Sequence, residues 1–229
     1  SSTASLTGMA AVKACEAMRE KIMEKGAEYL ERSVDEVDFD GSQVFSRDGS
    51  SAIRLKDIGN RVMCNNGKAL EVTTSHSSPV SPPPFMVGMA EIEMDMETYE
   101  YELIDFVAVV DCGTPINPNL VRVQTEGGLG QGIGMAMFED VTRSQKGRVF
   151  ENSFMQYKLP TRMDVGHLQV EFESSYEPTG PFGAKSIGEI VINTPSPAIA
   201  SAVSHAVGVK VRELPITAEK VFWGMQEED

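Results

Sequence analysis

DCGTPINPNLVRVQTEGGLGQGIG, residues 111–134, reads as the end of a strand turning into a helix. Asp111 and Gly113 suit a turn, Asn117 an N-cap, and Pro118 the first helical position, where a missing N–H is no loss. The helix predicted over 118–139 holds five glycines, each costing about 1 kcal/mol against alanine, so something must offset them. Close approach of another backbone or of a ligand would do so. Tight helix packing is one form of that approach. A ligand contact at Gln131, the polar residue of the glycine face, is the other. The spacing does not match a dinucleotide fingerprint, whose G-x-G-x-x-G lies in the turn before the helix.

Working outward, the preceding strand is predicted over 102–111, with an apolar run at 106–110. A connection at 97–99 joins it to a strand over 86–96 that alternates around Val87, Met89, Ile92 and Met94, so the two form a hairpin. Before them SHSSPVSPPP, residues 75–84, carries four prolines and cannot be regular structure. It reads as an ordered loop or a linker between lobes 1–75 and 85–229. In the first lobe a helix runs to Leu30, with Ala11, Ala14, Cys15, Met18 and Ile22 on one face. Ser33 and Glu36 have capping-box spacing. Short strands follow at 37–39, 43–46 and 52–55, separated by the turn dipeptides Asp40-Gly41 and Asp48-Gly49, and then a helix at 56–64. Downstream, strands are predicted at 149–151, 167–176 and 209–211. One helix starts with Ser196 as N-cap and Pro197 at N1 and stops at Gly208, and another covers 217–225. Strands in clusters with helices between them predict an α+β fold of layered mixed sheets with packed helices.

The 229 residues carry 20 Lys and Arg against 34 Asp and Glu, a net charge of −14, which disfavours nucleic acid and anionic membrane surfaces as partners. Cys15, Cys64 and Cys112 are scattered, without a CxxC or Cys/His cluster, so neither a disulfide framework nor a protein-ligated zinc or iron–sulfur site is supported. A reducing cytoplasm is the natural setting. No apolar run approaches the ~18 residues of a membrane span. The opening residue is Ser rather than Met, as in a chain cut from something longer.

Two further stretches carry candidate chemistry. In PFGAKSIGE, residues 181–189, the small residues let the backbone turn sharply and pass close to a ligand, and Glu189 leaves the turn flanked by Ile187 and Ile190. Apolar neighbours would ready this carboxylate to accept and return a proton; a solvated Glu beside a glycine turn is the plainer reading. In TASLTG, residues 3–8, small hydroxyl residues precede the first helix, where they either cap it or help receive an anion such as a phosphate. His76, His167 and His205 lie far apart in sequence, so a hydrolase pairing Glu189 with Glu177 or Asp164 has little support.

Together, PFGAKSIGE, DCGTPINP with EGGLGQGIG, and TASLTG occur in the spacing of a known family. The chain resembles the C-terminal part of the molybdenum-binding subunit of the xanthine dehydrogenase and aldehyde oxidase family of molybdenum hydroxylases. MAEIEMDMETYEYEL is similar to the family's acidic strand pair, and MQYKLPTRMD to the segment before its catalytic loop. The resemblance covers nearly the whole chain and implies the second molybdopterin-binding domain. It implies Glu189 as the catalytic base of the K-x-x-G-E motif, and Thr3, Ala4, Ser5, Thr7 and Gln131, with Lys185 and Gly188 more weakly, as residues lining the cofactor. Ser186 stands where many members have glycine.

That cofactor would be molybdopterin or its cytosine dinucleotide, whose dithiolene holds molybdenum without protein ligands. Electrons would pass to [2Fe-2S] and FAD centres on partner domains or subunits. The implied reaction oxidises a purine-like N-heterocycle or an aldehyde with water-derived oxygen. The implied partners are the upstream half of the subunit, an iron–sulfur subunit and an FAD subunit. The family's glycine- and phenylalanine-rich loop and its substrate-orienting arginine lie upstream of the matched region, so this piece alone should not turn over substrate. The alternative is a cofactor-binding or subunit-assembly module of the same fold without catalysis.

Overall fold

A computed structural model describes residues 2–227, which fall into two compact units, 2–80 and 81–227. In the first, α1 (Gly8–Leu30) packs on an antiparallel sheet of β1 (Val37–Phe39), β2 (Gln43–Ser46) and β3 (Ala52–Arg54), followed by α2 (Leu55–Asn66). Its core is Ile22, Ala27, Val37, Val44, Ile53, Ile58 and Val62. Gly26 lets α1 approach closely, since a Cβ there would stand 2.6 Å from Val44. Strands of three or four residues cover only the C-terminal half of α1, so Ala11 and Cys15, expected inward, are exposed. The Ser33/Glu36 capping box is formed. Residues 67–84 have no regular structure, and Thr74 Oγ1 fastens this segment to α1 by donating to the Ala10 carbonyl at 2.9 Å.

In the second unit the sheet order is β4 (Phe85–Met94), β5 (Tyr101–Asp111), β6 (His167–Phe172). The first pair is the antiparallel hairpin, with a register shift between Glu91 and Ile92; β5 and β6 run parallel. One face of this sheet packs with α3 (Pro118–Met137) and α4 (Pro195–Val207) around Phe106, Ala108, Leu129, Ile133, Val170, Ile199 and Val203. The other face leaves Phe85, Val87 and Met89 exposed. The N-terminus of α3 is built as its sequence dictates. Pro118 occupies the first turn and Asn117 Oδ1 accepts from the Leu120 N–H at 3.1 Å.

Several boundaries differ from the expectations, each for a packing reason. Strand β6 ends at Phe172 because the chain then leaves the ladder, and Ser175 turns to hydrogen-bond Asp111. No strand forms at 149–151, where Val149 makes only an isolated bridge to Arg143. None forms at 209–211 either. Val209 is buried against α5 (Ala218–Glu227), where a Cβ on Gly224 would lie 2.5 Å from it. Helix α4 begins earlier than predicted, with Thr194 as N-cap and Pro195 at N1, because Pro195 is buried against Gly132 of α3.

The five glycines of α3 divide into a packed group of three and an open pair; in the first, a Cβ on Gly134 would stand 2.9 Å from Pro160. A Cβ on Gly128 would stand 2.2 Å from Val191 Cγ2, and one on Gly132 would stand 2.7 Å from Pro195 and 3.0 Å from the Ile192 carbonyl oxygen. These two let the helix lie directly on the short turn Ile190–Ile192 and the start of α4, which offsets their helix cost. Gly127 and Gly130 have nothing within 4 Å of a Cβ, and Gly127 lies on the side of α3 that carries the exposed Gln124 and Gln131.

Candidate functional site

Because β5 and β6 are parallel, the segments that follow them leave the sheet at the same edge. Three turns meet there. Thr114 N–H donates to the Gly183 carbonyl at 2.8 Å, Glu177 N–H to the same oxygen at 3.0 Å, and Lys185 N–H to the Cys112 carbonyl at 2.7 Å. The fit is too close for side chains at some positions. Gly113 sits at φ +69° with a would-be Cβ 2.3 Å from the Gly183 oxygen, and Gly183 itself sits at φ +85°. Phe182, 72% exposed, also adopts a left-handed conformation, at φ 53°. Strain of this kind persists only where surrounding contacts fix the chain.

Asp111 is the knot of the three turns. Its Oδ1 accepts from Ser175 Oγ at 2.6 Å and from the Gly113 N–H at 3.0 Å, and its Oδ2 accepts from Lys185 Nζ at 2.7 Å. Burial disfavours the charge on Asp111, but the bonds from Lys185, Ser175 and Gly113 outweigh it and hold the carboxyl below its ordinary value. A depressed folded-state pKa contributes stability that is complete above the unfolded value, about 3.9, and is lost as pH falls through the folded one. The knot is therefore expected to be insensitive to pH from about 5 to 8 and to loosen below about 4. Melting temperatures followed into that acid range should fall more steeply for the native sequence than for Asp111→Asn.

From Lys185 the chain runs four residues to Glu189. The glutamate is exposed, Ile187 and Ile190 beside it are half-buried, and Val191 is fully buried. The apolar neighbours thus root the turn rather than enclose the carboxylate. Gln124 Nε2 of α3 donates to the Gly188 carbonyl at 3.3 Å, tying the helix to the same turn. Gln131 lies two helical turns further on, about 10 Å along the axis, exposed on the same side of α3. The structure thus brings Glu189, Gly188, Lys185 and the glycine helix into one neighbourhood.

In the other unit, Thr3–Thr7 winds as a π-turn leading into α1. Thr3 and Thr7 are exposed and Ala4 is half-buried. Ser5 is buried, and its Oγ donates to the Ser2 carbonyl at 3.1 Å.

Asp111, Ser175 and Gln124 were missed as site-building residues. Asp111 was read as a turn residue only, and Ser175 carries no sequence signal. Gln124 could have been found, since it lies seven residues before Gln131 and so shares its helix face. A cleft of about 690 Å³ lined by Glu93, Asp95, Glu100 and Glu102 lies at the opposite end of β4 and β5 and includes none of the motif residues.

Among the described residues no group of three or more His, Cys, Asp or Glu is placed to hold a metal ion, so a metal here would have to bring its own ligands. The polar groups available suit an organic cofactor. Ser186 Oγ is buried with no hydrogen-bond partner among the described residues, the amide of Gln131 is exposed, and Gly127 leaves open space on the same side of α3. Residues 1–166 match the family description "Molybdopterin cofactor-binding domain". The chain belongs to this family.

Relatives of this molybdopterin-binding domain are large subunits of the xanthine dehydrogenase and carbon monoxide dehydrogenase type. The chain is 33% identical over 232 residues to the probable hypoxanthine oxidase XdhD of Escherichia coli K12, covering 99% of this chain and 24% of that protein. It is 30% identical over 226 residues to the 6-hydroxypseudooxynicotine dehydrogenase complex subunit gamma of Paenarthrobacter nicotinovorans, covering 95% and 28%. Among solved structures, quinoline 2-oxidoreductase from Pseudomonas putida 86 superposes with a TM-score of 0.79 at 25% identity, covering 94% of this chain and 29% of that one. The molybdopterin-binding chain therefore spans about a quarter of the length of the curated relatives it matches. Its mixed α+β fold is that of molybdenum hydroxylase large subunits.

Proposed function

We propose that this domain supplies the general base and cofactor contacts of a molybdenum hydroxylase that oxidises an N-heterocycle or an aldehyde with water-derived oxygen. The observation that carries the reading is the placement of Glu189. It is an exposed carboxylate on a turn locked at one end by Asp111 and at the other by α3. A fixed backbone holds a base in one place, and an exposed carboxylate is ionised near neutral pH, ready to take a proton from the attacking oxygen and return it. When bound, molybdopterin or its cytosine dinucleotide supplies the molybdenum and the two-electron redox chemistry.

Around it, Gln131 offers an amide that both donates and accepts, and Gly188 offers main chain without a side chain in the way. In the first unit, Thr3, Ala4, Ser5 and Thr7, in the turn that leads into α1, are proposed as further cofactor contacts on the strength of their small and hydroxyl groups. The remaining parts of the enzyme are proposed to be an upstream half of the subunit and partners carrying [2Fe-2S] and FAD, in the cytoplasm. The span of a quarter of its relatives supports such neighbours, as does the exposed apolar sheet face at Phe85, Val87 and Met89. Without them this piece is expected to show no turnover.

The cofactor contacts are tested by metal and pterin analysis of the complete enzyme carrying Gln131→Ala or Ser5→Ala. Reduced molybdopterin content at normal protein yield is expected for both. Full content in both variants would remove these residues from the list of contacts.

A further inference from the structure

The motif around Glu189 contains one charged side chain whose surroundings say what it does. Lys185 lies four residues before Glu189, yet its side chain is only 11% exposed and that of Asp111 only 20%. Its ammonium donates to Asp111 Oδ2 at 2.7 Å and stands 5.5 Å from the ring centroid of Phe85. Phe85 and Asp111 are themselves a cross-strand pair, so the first residue of β4 and the last of β5 together hold the ammonium. The remaining carboxylate oxygen is occupied by Ser175 and the Gly113 N–H. Lys185 is thus engaged with protein, and the groups that engage it belong to the rigid end of the sheet.

We propose that Asp111 and Lys185 are positioning residues, whose ion pair locks the turn 181–189 onto the ends of β5 and β6 and so fixes where the carboxylate of Glu189 stands. The assignment rests on the reading of Glu189 as the base. Two physical arguments support it. A partly buried pair with well-made hydrogen bonds tolerates loss of neither partner, because the survivor is left as an uncompensated charge. A base displaced by about 1 Å loses on the order of 10²-fold in rate, so a lock this close to it in the chain has kinetic consequences. The pair does not act alone in joining the turns. The backbone bonds of Gly183 and Lys185 already join the turns, so the ion pair adds precision at the end nearest Glu189.

The test is made in the complete, assembled enzyme with Lys185→Met, Asp111→Asn and the charge-keeping Lys185→Arg, each also combined with Glu189→Gln. Lys185→Met and Asp111→Asn are expected to lower kcat about 10- to 100-fold, with KM and molybdopterin content near normal. Lys185→Arg should recover most of the loss. In the Glu189→Gln background Lys185→Met should lower the residual rate no further, since a residue acting through Glu189 has nothing left to act on. Hydrogen exchange of the amides in 183–189 should be faster in Lys185→Met.

Unchanged kcat in Lys185→Met, an equal further loss on top of Glu189→Gln, or loss of cofactor in Lys185→Met would each overturn the positioning role. Should the lysine variants fail to fold, Ser175→Ala removes one partner of Asp111 without stranding a charge. It should give a smaller fall in kcat with the same faster exchange, and an unchanged kcat there would equally count against the proposal. Wild-type activity in Glu189→Gln alone is a separate result, which removes the base assignment itself and the positioning role with it.

Discussion

Glu189→Gln, introduced into the complete enzyme, is expected to cut turnover by a factor on the order of 10²–10⁴, the usual worth of a positioned general base, while leaving molybdopterin content and protein yield unchanged. The amide has the shape of the carboxylate but cannot take up a proton at neutral pH. The side chain is exposed in this domain, so its replacement removes no core packing. The expected signature is loss of kcat with KM little altered, because the group acts on the reacting atoms rather than on binding. Rapid mixing of enzyme with substrate, with the cofactor quantified on the same preparation, measures it directly. Turnover at the normal rate in a fully loaded variant would leave the domain as a cofactor-binding or assembly module.

The second large effect is on the scaffold. Gly113→Ala is expected to destabilise the domain by about 3 kcal/mol or more, or to prevent soluble expression. Two costs add there. Alanine in the left-handed region costs roughly 1–2 kcal/mol, and the new methyl group would meet the Gly183 carbonyl oxygen at 2.3 Å, a backbone atom that cannot swing aside. Opening that contact displaces the turn that carries Lys185 and Glu189, so any folded protein recovered should also be slow. Gly127→Ala is the control. That glycine sits on a helix with open space around it, so alanine should be neutral or slightly stabilising for the domain. A fall in melting temperature no larger for Gly113→Ala than for Gly127→Ala would show that the turns at the sheet edge are looser than described.

Much of the scaffold was legible because its signals are local. Asn117 and Pro118 announce a helix start, Ser33 and Glu36 a capping box, and Asp40-Gly41 a tight turn between short strands, and each forms where its residues stand. The failures share one cause. At 149–151 and 209–211 the apolar residues suit a strand, but the first pairs with its neighbour through a single bridge and the second has no strand beside it among the described residues, facts held in the tertiary structure alone. Likewise the start of α4 was misplaced because Ser196-Pro197 is as good a local signal as Thr194-Pro195, and only the burial of Pro195 against Gly132 selects between them.

The site was legible as motifs and not as geometry. Residue types marked Glu189 and Gln131, and the helix cost of five glycines marked the glycine face. The sharing of Asp111 among Ser175, Gly113 and Lys185 joins positions 64 and 74 residues apart and leaves no trace in spacing. The cost of the glycines in α3 was read correctly as demanding close approach. Their division between three protein-facing glycines and an open pair needed the structure.

The parallel pairing of β5 with β6 has a consequence for how such a domain can change over generations. Both segments that shape the edge carrying Glu189 hang from the same end of a ladder whose interior is packed by Phe106, Ala108 and Val170. Residues at the rim, such as the exposed Ile116, Tyr176 and Phe182, can be exchanged without unpicking the strands beneath them. A lineage can thus try new side chains at this rim while inheriting an intact foundation, and a protein engineer can do the same.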